Sequence, residues 1–246
     1  DRKELYTRLV DKYEAKKFIE KVMGKEYVIK TLGVWDKFED IDFDKLPNKF
    51  VLKCTHDSGG GIICRDKTNL DMEAAEQKLN KSLADNYYWG EREWPYKNVV
   101  PRILAEEYMD DYEEGSENYG KGLTDYKFFT FNKVPKMLYV SRGLEDHATA
   151  QISFFDLKGR KLPFKRKDYK GIEGNIKMPE TMPEMIKIVK RLAEIVDAPF
   201  LRVDLYEIRG KIYFSEFTFF PCGGMIPFEP EKWDRVLGDW IRIDRA

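Results

Sequence analysis

Apolar residues recur at helical spacing near the start of the chain, where Leu5, Leu9, Tyr13, Phe18 and Val22 precede Gly24. That spacing predicts one or two amphipathic helices stopped at the glycine. Between Gly33 and Lys49 the pattern loosens into Trp35, Phe38, Ile41, Phe43 and Leu46 among acidic and basic residues, and reads as a packed connector. Phe50 to Cys54 and Ile62 to Cys64 read as strands joined by His56-Asp57-Ser58-Gly59-Gly60-Gly61. Asp71 is placed to cap a helix carrying Ala75, Leu79 and Leu83. Arg102 to Met109 predicts a strand that turns acidic, and the Glu-, Gly- and Asn-rich stretch 110–124 predicts a surface loop and lobe boundary. Asp125 to Phe131 and Pro135 to Val140, joined through Asn132-Lys133, predict a hairpin. Thr181 and Glu184 have capping-box spacing before a helix with Met185, Ile188, Leu192 and Ile195 on one face. Phe200 to Tyr206 and Ile212 to Phe219 predict a last hairpin around Arg209-Gly210. Hairpins and isolated helices without regular βαβ alternation or internal repeat define the class as α+β.

Composition narrows this. With 42% hydrophobic and 14% aromatic residues the chain folds around a core, and 246 residues suit one large domain or two joined lobes. The 43 Lys plus Arg balance 44 Asp plus Glu, so the long-range positive field of a nucleic-acid binder is missing. The run Lys165-Arg166-Lys167 with Lys170 reads as a solvated loop. The three cysteines, at 54, 64 and 222, have no CxxC spacing and 2 His to assist, which argues against zinc or a disulfide framework and makes reducing cytosol the expected compartment. No apolar run approaches the roughly 18 residues of a membrane span.

Candidate chemistry concentrates in the last hairpin, where Asp204 and Glu216 interrupt apolar strands. Arg202, Asp204 and Tyr206 share one face of their strand, and Phe214, Glu216 and Thr218 share one face of the next. An odd turn makes those faces coincide, with Cβ separations of roughly 4.5 to 8 Å, whereas an even turn opposes them. Paired carboxylates that close need a cation between them or a neighbour such as Arg202, and hard oxygen ligands favour Mg²⁺ or Mn²⁺. The bland alternative is a half-exposed hairpin with one salt bridge. Lys53, just before the glycine loop, suits phosphate, although GxxxxGK[ST] is absent and many such loops are only turns. Glu106-Glu107 at a strand end suits a ribose or an adenine amino group. Lys127 alone reads as an exposed strand lysine, His56 as a loop donor and His147 as a loop residue without a nucleophile partner.

The order lysine strand, glycine loop, helix, acidic hinge strand, basic strand and acidic hairpin resembles the ATP-grasp enzymes. The phrases Phe50-Val51-Leu52-Lys53-Cys54, Ser58-Gly59-Gly60, Glu91-Arg92-Glu93-Trp94-Pro95-Tyr96, Ala105-Glu106-Glu107-Tyr108, Asp125-Tyr126-Lys127-Phe128, Arg202-Val203-Asp204-Leu205-Tyr206 and Pro230-Glu231-Lys232-Trp233-Asp234 resemble the TupA-like ATP-grasp family of bacterial cell-surface polysaccharide, or teichuronopeptide, gene sets. That resemblance implies N-terminal helices and connector over 1–49, a first lobe with the glycine loop over 50–109 and a second lobe with the metal-binding hairpin over 110–246, the lobes holding ATP between them. It implies Lys53 and Lys127 on the phosphates, Ser58, Gly59, Gly60 and Gly61 closing over them, and Glu106, Glu107 and Tyr108 beside adenine and ribose. It further implies Asp204 and Glu216 on Mg²⁺ and Arg202 on the transferred phosphate. Thr218 stands where many relatives carry a metal-binding Asn, Phe220-Pro221-Cys222-Gly223-Gly224 departs from the Pro-Gly-Ser-Gly ending, and the N-terminal domain is reduced to helices.

The implied activity is a cytoplasmic carboxylate–amine ligase acting through an acyl phosphate, on a uronic-acid glycan of polysaccharide or capsule biosynthesis and an amino acid or amine. A phosphotransferase or glycan-modifying transferase and a non-catalytic nucleotide-binding scaffold are the rivals.

Overall fold

The computed structural model describes residues 2–58, 61–117, 119–120, 122–142, 150–174 and 176–243. The chain divides into two compact units, Asp1–Met109 and Asp110–Ala246.

The first unit opens with α1 (Glu4–Val10) and α2 (Lys12–Val22), separated at Asp11, whose carboxylate accepts from the backbone N–H groups of Tyr13 and Glu14 and so caps α2. Its sheet comprises β1 (Thr31–Trp35), β2 (Phe50–Cys54), β3 (Ile62–Cys64) and β4 (Ile103–Glu107) in the order β1-β4-β2-β3, all pairs antiparallel. The connector reading therefore missed β1, a short strand whose register is broken beside Gly33. Trp35 folds back over that glycine, and a Cβ there would collide with the indole ring, so the strand depends on a residue that weakens its own sequence signal. α3 (Met72–Ala84) is capped by Asp71. Its Ala75 and Leu79 pack with Phe50, Leu52, Cys54, Ile103 and Ala105 on one sheet face. The short α4 (Tyr88–Glu91) precedes β4.

The second unit contains β5 (Asp125–Phe131), β6 (Val134–Arg142), β7 (Gln151–Asp156), β9 (Phe200–Ile208) and β10 (Lys211–Thr218) as an antiparallel sheet ordered β10-β9-β5-β6-β7. A separate two-stranded pairing joins β8 (Lys165–Arg166) to β11 (Phe228–Glu229). Asn132 and Lys133 both take positive φ, the backbone of a tight two-residue hairpin turn. α5 (Met182–Val196) packs on β5, β6 and β9 through Met185, Ile188, Val189, Leu192 and Val196. Two expectations for this helix fail. Ile195 is exposed, and Thr181 is already helical, so its hydroxyl makes no capping bond. α6 (Lys232–Gly238) brings Leu237 and Trp233 to an aromatic cluster with Phe164, Phe154 and Phe129. In the loop 110–124, Asp110 accepts from the Tyr112 and Gly120 N–H groups and Asp111 from Thr124, which gives that polar segment fixed anchor points. Among the described residues, no helix is long and apolar enough to cross a membrane.

Candidate functional site

Strand alternation puts Lys53 and Glu106 on the sheet face opposite the first unit's core. The two carboxylate oxygens of Glu106 take different ammonium groups, one from Lys53 and the other from Lys16 on α2. Glu106 is 6% exposed. Burial pushes its carboxyl pKa up, yet the two lysines outweigh burial and hold it down at about 2. Lys16 is pulled down by burial and by Lys53, while Glu106 opposes both. Glu106, expected beside adenine or ribose, organises two lysines. Glu107 projects to the other face, opposite Phe50, and is exposed. Tyr108 carries the Arg65 guanidinium 5.9 Å above its ring.

The root of the glycine loop is pinned by polar contacts. Lys12 donates to the Cys54 carbonyl at 3.0 Å and to the Asp57 carboxylate at 3.2 Å, and Ser82 donates to the other Asp57 oxygen. His56 Nε2 lies 3.0 Å from the Ser82 carbonyl and 3.2 Å from that of Asp85. Two carbonyl acceptors make Nε2 the protonated nitrogen, in keeping with its reading as a loop donor. Ser58 is exposed, and the Gly61 carbonyl accepts from Lys78 at 3.1 Å. Gly59 and Gly60 lie outside the described residues, as does His147.

In the second unit a bulge decides the geometry. The turn at Arg209 and Gly210 has two residues, so a regular ladder would set Ser215 opposite Asp204 and send Glu216 to the far face. The register instead slips by one at Ser215, pairing Glu216 with Asp204 and Thr218 with Arg202. The same slip lets Phe214 and Phe217 share the apolar face, their ring centroids 4.6 Å apart. Apolar patterning thus requires the bulge that brings the carboxylates together.

Asp204 is fully buried. Arg202 donates from Nε to its Oδ1 at 2.8 Å and from Nη2 to Oδ2 at 2.7 Å, and the same Nη2 reaches Glu216 Oε1 at 2.8 Å. Lys127, opposite Asp204 on β5, is 2.6 Å from Asp204, 3.2 Å from Asp125 and 4.0 Å from Glu216. Lys127 is therefore a buried member of the cluster rather than an exposed strand lysine. Burial works against charge on Lys127, yet Asp125 and Asp204 hold its pKa well above the usual lysine range. Asp125 moves the other way. Burial, with Asp204 and Glu216 nearby, pushes it up to about 6 against the pull of Lys127, and its Oδ1 is buried without a hydrogen-bond partner.

Sequence reasoning missed Lys16, Lys12, Asp125 and Arg166. Lys16 interrupts a stripe that buries Ala15 and Ile19, a signal legible in hindsight, and Asp125 lies two residues before Lys127 and hence on its face. Arg166, expected in a solvated loop, is buried, bonded to Asp168 at 2.9 Å and within 3.3 Å of Cys222 Sγ.

A sequence model of the TupA-like ATPgrasp family matches residues 1–242. The chain belongs to that family. Its fold is the α+β ATP-grasp fold. A D-alanine–D-alanine ligase from Bacillus anthracis superposes with a TM-score of 0.51 at 18% identity over 95% of this chain and 65% of that one. The same enzyme complexed with ATP gives 0.52 at 17% identity, over 95% and 64%. The ATP-grasp ligase PsnB, complexed with a precursor variant, Mg and ADP, gives 0.50 at 10% identity over 98% and 61%. This TupA-like chain thus spans about two thirds of the length of the ligases it resembles, 65% for the first. No curated protein matches it.

The residues present fit a nucleotide and a hard cation. Asp204 Oδ2 and Glu216 Oε1 both sit within 2.8 Å of one Arg202 nitrogen, so a single positive centre already spans them. Asp125 adds a buried acceptor in want of a donor. Among the described residues no group of three or more His, Cys, Asp or Glu side chains is arranged to hold a metal alone. Mg²⁺ keeps water and phosphate oxygens in its shell and needs few protein ligands.

Proposed function

We propose that this TupA-like protein is an ATP-dependent carboxylate–amine ligase. The observation that carries the reading is the bulged hairpin, with Asp204 and Glu216 facing one another under Arg202 and Lys127. In this reading Asp204 and Glu216, with Thr218 beside them, hold Mg²⁺, or Mn²⁺ in its place, on the polyphosphate; the ion neutralises phosphate charge. Lys53 and Lys127 hold the phosphates, Ser58 to Gly61 cover them, and the backbone of Glu106, Glu107 and Tyr108 flanks the nucleoside. Residues 50–109 and 110–246 act as the two nucleotide lobes, with 1–49 as an N-terminal helical segment.

A substrate carboxylate oxygen attacks the γ-phosphorus, the bond between it and the β–γ bridging oxygen breaks, and ADP leaves. Arg202 and Lys127 stabilise the charge on the transferring group, because fixed cations in a dry site require no reorganisation as charge moves. An amine nitrogen then attacks the acyl carbon, phosphate departs with the mixed-anhydride oxygen, and the amine loses a proton to give the amide. No enzyme nucleophile is needed. From the family, the carboxylate is assigned to a uronic-acid-bearing cell-surface polysaccharide or its precursor, as in capsule assembly, the amine to an amino acid, and the setting to the bacterial cytoplasm.

The test is ADP release with uronic-acid saccharides as carboxylate donors and amino acids as amines, in the presence of hydroxylamine. A ligase gives a hydroxamate with ADP and phosphate in step. ADP with a stable phosphoester and no hydroxamate establishes the phosphotransferase instead, and nucleotide binding without ADP under any substrate combination establishes the scaffold.

A further inference from the structure

We infer that Lys16, on α2, is a positioning residue for nucleotide binding: by holding Glu106, it frees Lys53 to meet a phosphate. This inference rests on the nucleotide reading above. Lys16 is 4% exposed, a rare state for lysine unless it is paired, and its ammonium goes to one Glu106 oxygen while Lys53 takes the other. The Glu106 side chain is itself 8% exposed, whereas that of Lys53 is 26% exposed. Lys53 is thus the member of the trio with access to solvent and to a ligand.

Without Lys16, Lys53 and Glu106 would form a closed, neutral pair. Drawing Lys53 toward a phosphate would then strand a buried carboxylate, whose desolvation is costly once its partner leaves. With Lys16 in place, Glu106 keeps one charge-assisted bond throughout, and the trio carries one surplus positive charge to set against the anion. Glu20 on the same helix also acts on Lys16, but it is exposed and screened by water. The surplus is therefore buried and not cancelled. Lys16 acts through Glu106 and Lys53, without itself touching the nucleotide.

Calorimetric titration with Mg²⁺-ATP tests this in the full chain. Lys16→Met is expected to weaken binding roughly tenfold or more, and Lys16→Arg to restore it to within about threefold. A double-mutant cycle separates positioning from direct contact. In a Glu106→Gln background no buried carboxylate needs holding, so adding Lys16→Met should cost less than about twofold; a full tenfold loss there would mean that Lys16 touches phosphate itself and would overturn the inference. Lys53→Met is the control. If it weakens binding while Lys16→Met does not, Lys16 is merely structural and the nucleotide reading stands. If neither variant matters, the reading of the site fails as well. Should Lys16→Met lose its cooperative melting transition, Lys16→Gln, which can still donate to Glu106 but carries no charge, repeats the comparison under the same criteria.

Discussion

The two polar clusters invert one another's charge. In the first unit one carboxylate, Glu106, sits between Lys16 and Lys53, leaving an excess of positive charge. In the second, Asp125, Asp204 and Glu216 surround Lys127 and Arg202, leaving an excess of negative charge. The first is built on the sheet face turned away from the helix-covered core, the second on the face that also carries Phe129 and Tyr139 of the aromatic cluster, and both use buried groups whose charges are tolerated only because they are paired. A cationic surplus suits a polyphosphate and an anionic surplus suits a divalent ion.

The largest expected effect comes from the acidic cluster. Asp204→Asn and Glu216→Gln should each lower ADP formation by about 10²–10³-fold. Their effects on stability should differ. Asp204 is fully buried and answers both cations, so its loss should cost about 3–5 kcal/mol in urea unfolding. The Glu216 side chain is 31% exposed, which limits its cost to about 1 kcal/mol or less. Equal stability losses would mean that burial does not separate the two carboxylates.

The clusters should also respond oppositely to pH in the absence of ATP and metal. Glu106 is lowered from 4.5 to about 2 by its two lysines against the cost of burial. Its contribution is fully present above the unfolded pKa and is lost as pH falls toward 2. Asp125 is raised from 3.8 to about 6, mainly by burial. The folded state therefore holds a proton that the unfolded chain has released, and stability falls as pH rises across that window. Each limb is worth on the order of 3 kcal/mol. Unfolding free energy measured from pH 2 to 7 should rise, peak near pH 4 and decline. Asp125→Asn should shrink the decline, to which the raised Asp204 also contributes, and Glu106→Gln should shrink the rise; a decline of unchanged size in Asp125→Asn would detach it from this carboxylate.

What the sequence revealed followed from side-chain type and local spacing. The α3 cap at Asp71 and the two-residue hairpin turn at Asn132-Lys133 are local chemistry, and the structure has both. Asp204 and Glu216 were visible as charges in apolar strands, but their meeting turns on one slipped residue, Ser215, which no parity argument from the turn supplies. Lys16 and Glu106 are 90 residues apart, and only the tertiary fold brings a helix lysine to a strand glutamate. Thr181 had the spacing of a cap without its backbone. Pattern identifies the groups available, while register and long-range pairing determine which of them meet.

A smaller effect separates the two lysines. Lys53→Met should weaken Mg²⁺-ATP binding by about ten- to a hundredfold, the size of one lost charge-assisted contact, with little change in melting temperature because Lys16 still holds Glu106. Lys127→Met should weaken binding comparably and also destabilise the fold, since it withdraws the cation from Asp125 and takes one of two from Asp204. If both lysines left stability untouched, the buried pairing on the acidic side would be energetically idle.

The smallest expected effect is at Glu107. Adjacent carboxylates in a strand point to opposite faces, so Glu106 is enclosed by lysines while Glu107, level with Phe50 on the other side, is exposed to water. An exposed carboxylate gains little from any partner, because solvent screens it and holding the long side chain still costs entropy. Glu107→Gln should therefore change Mg²⁺-ATP affinity by less than about twofold, whereas the same substitution at Glu106 should shrink the acid limb of the stability profile and loosen both lysines. Titration of the two variants side by side decides between the faces. A loss at Glu107 as large as that at Lys53 would place the nucleoside on the helix-covered side of the sheet and reverse the assignment of Lys53 and Glu106.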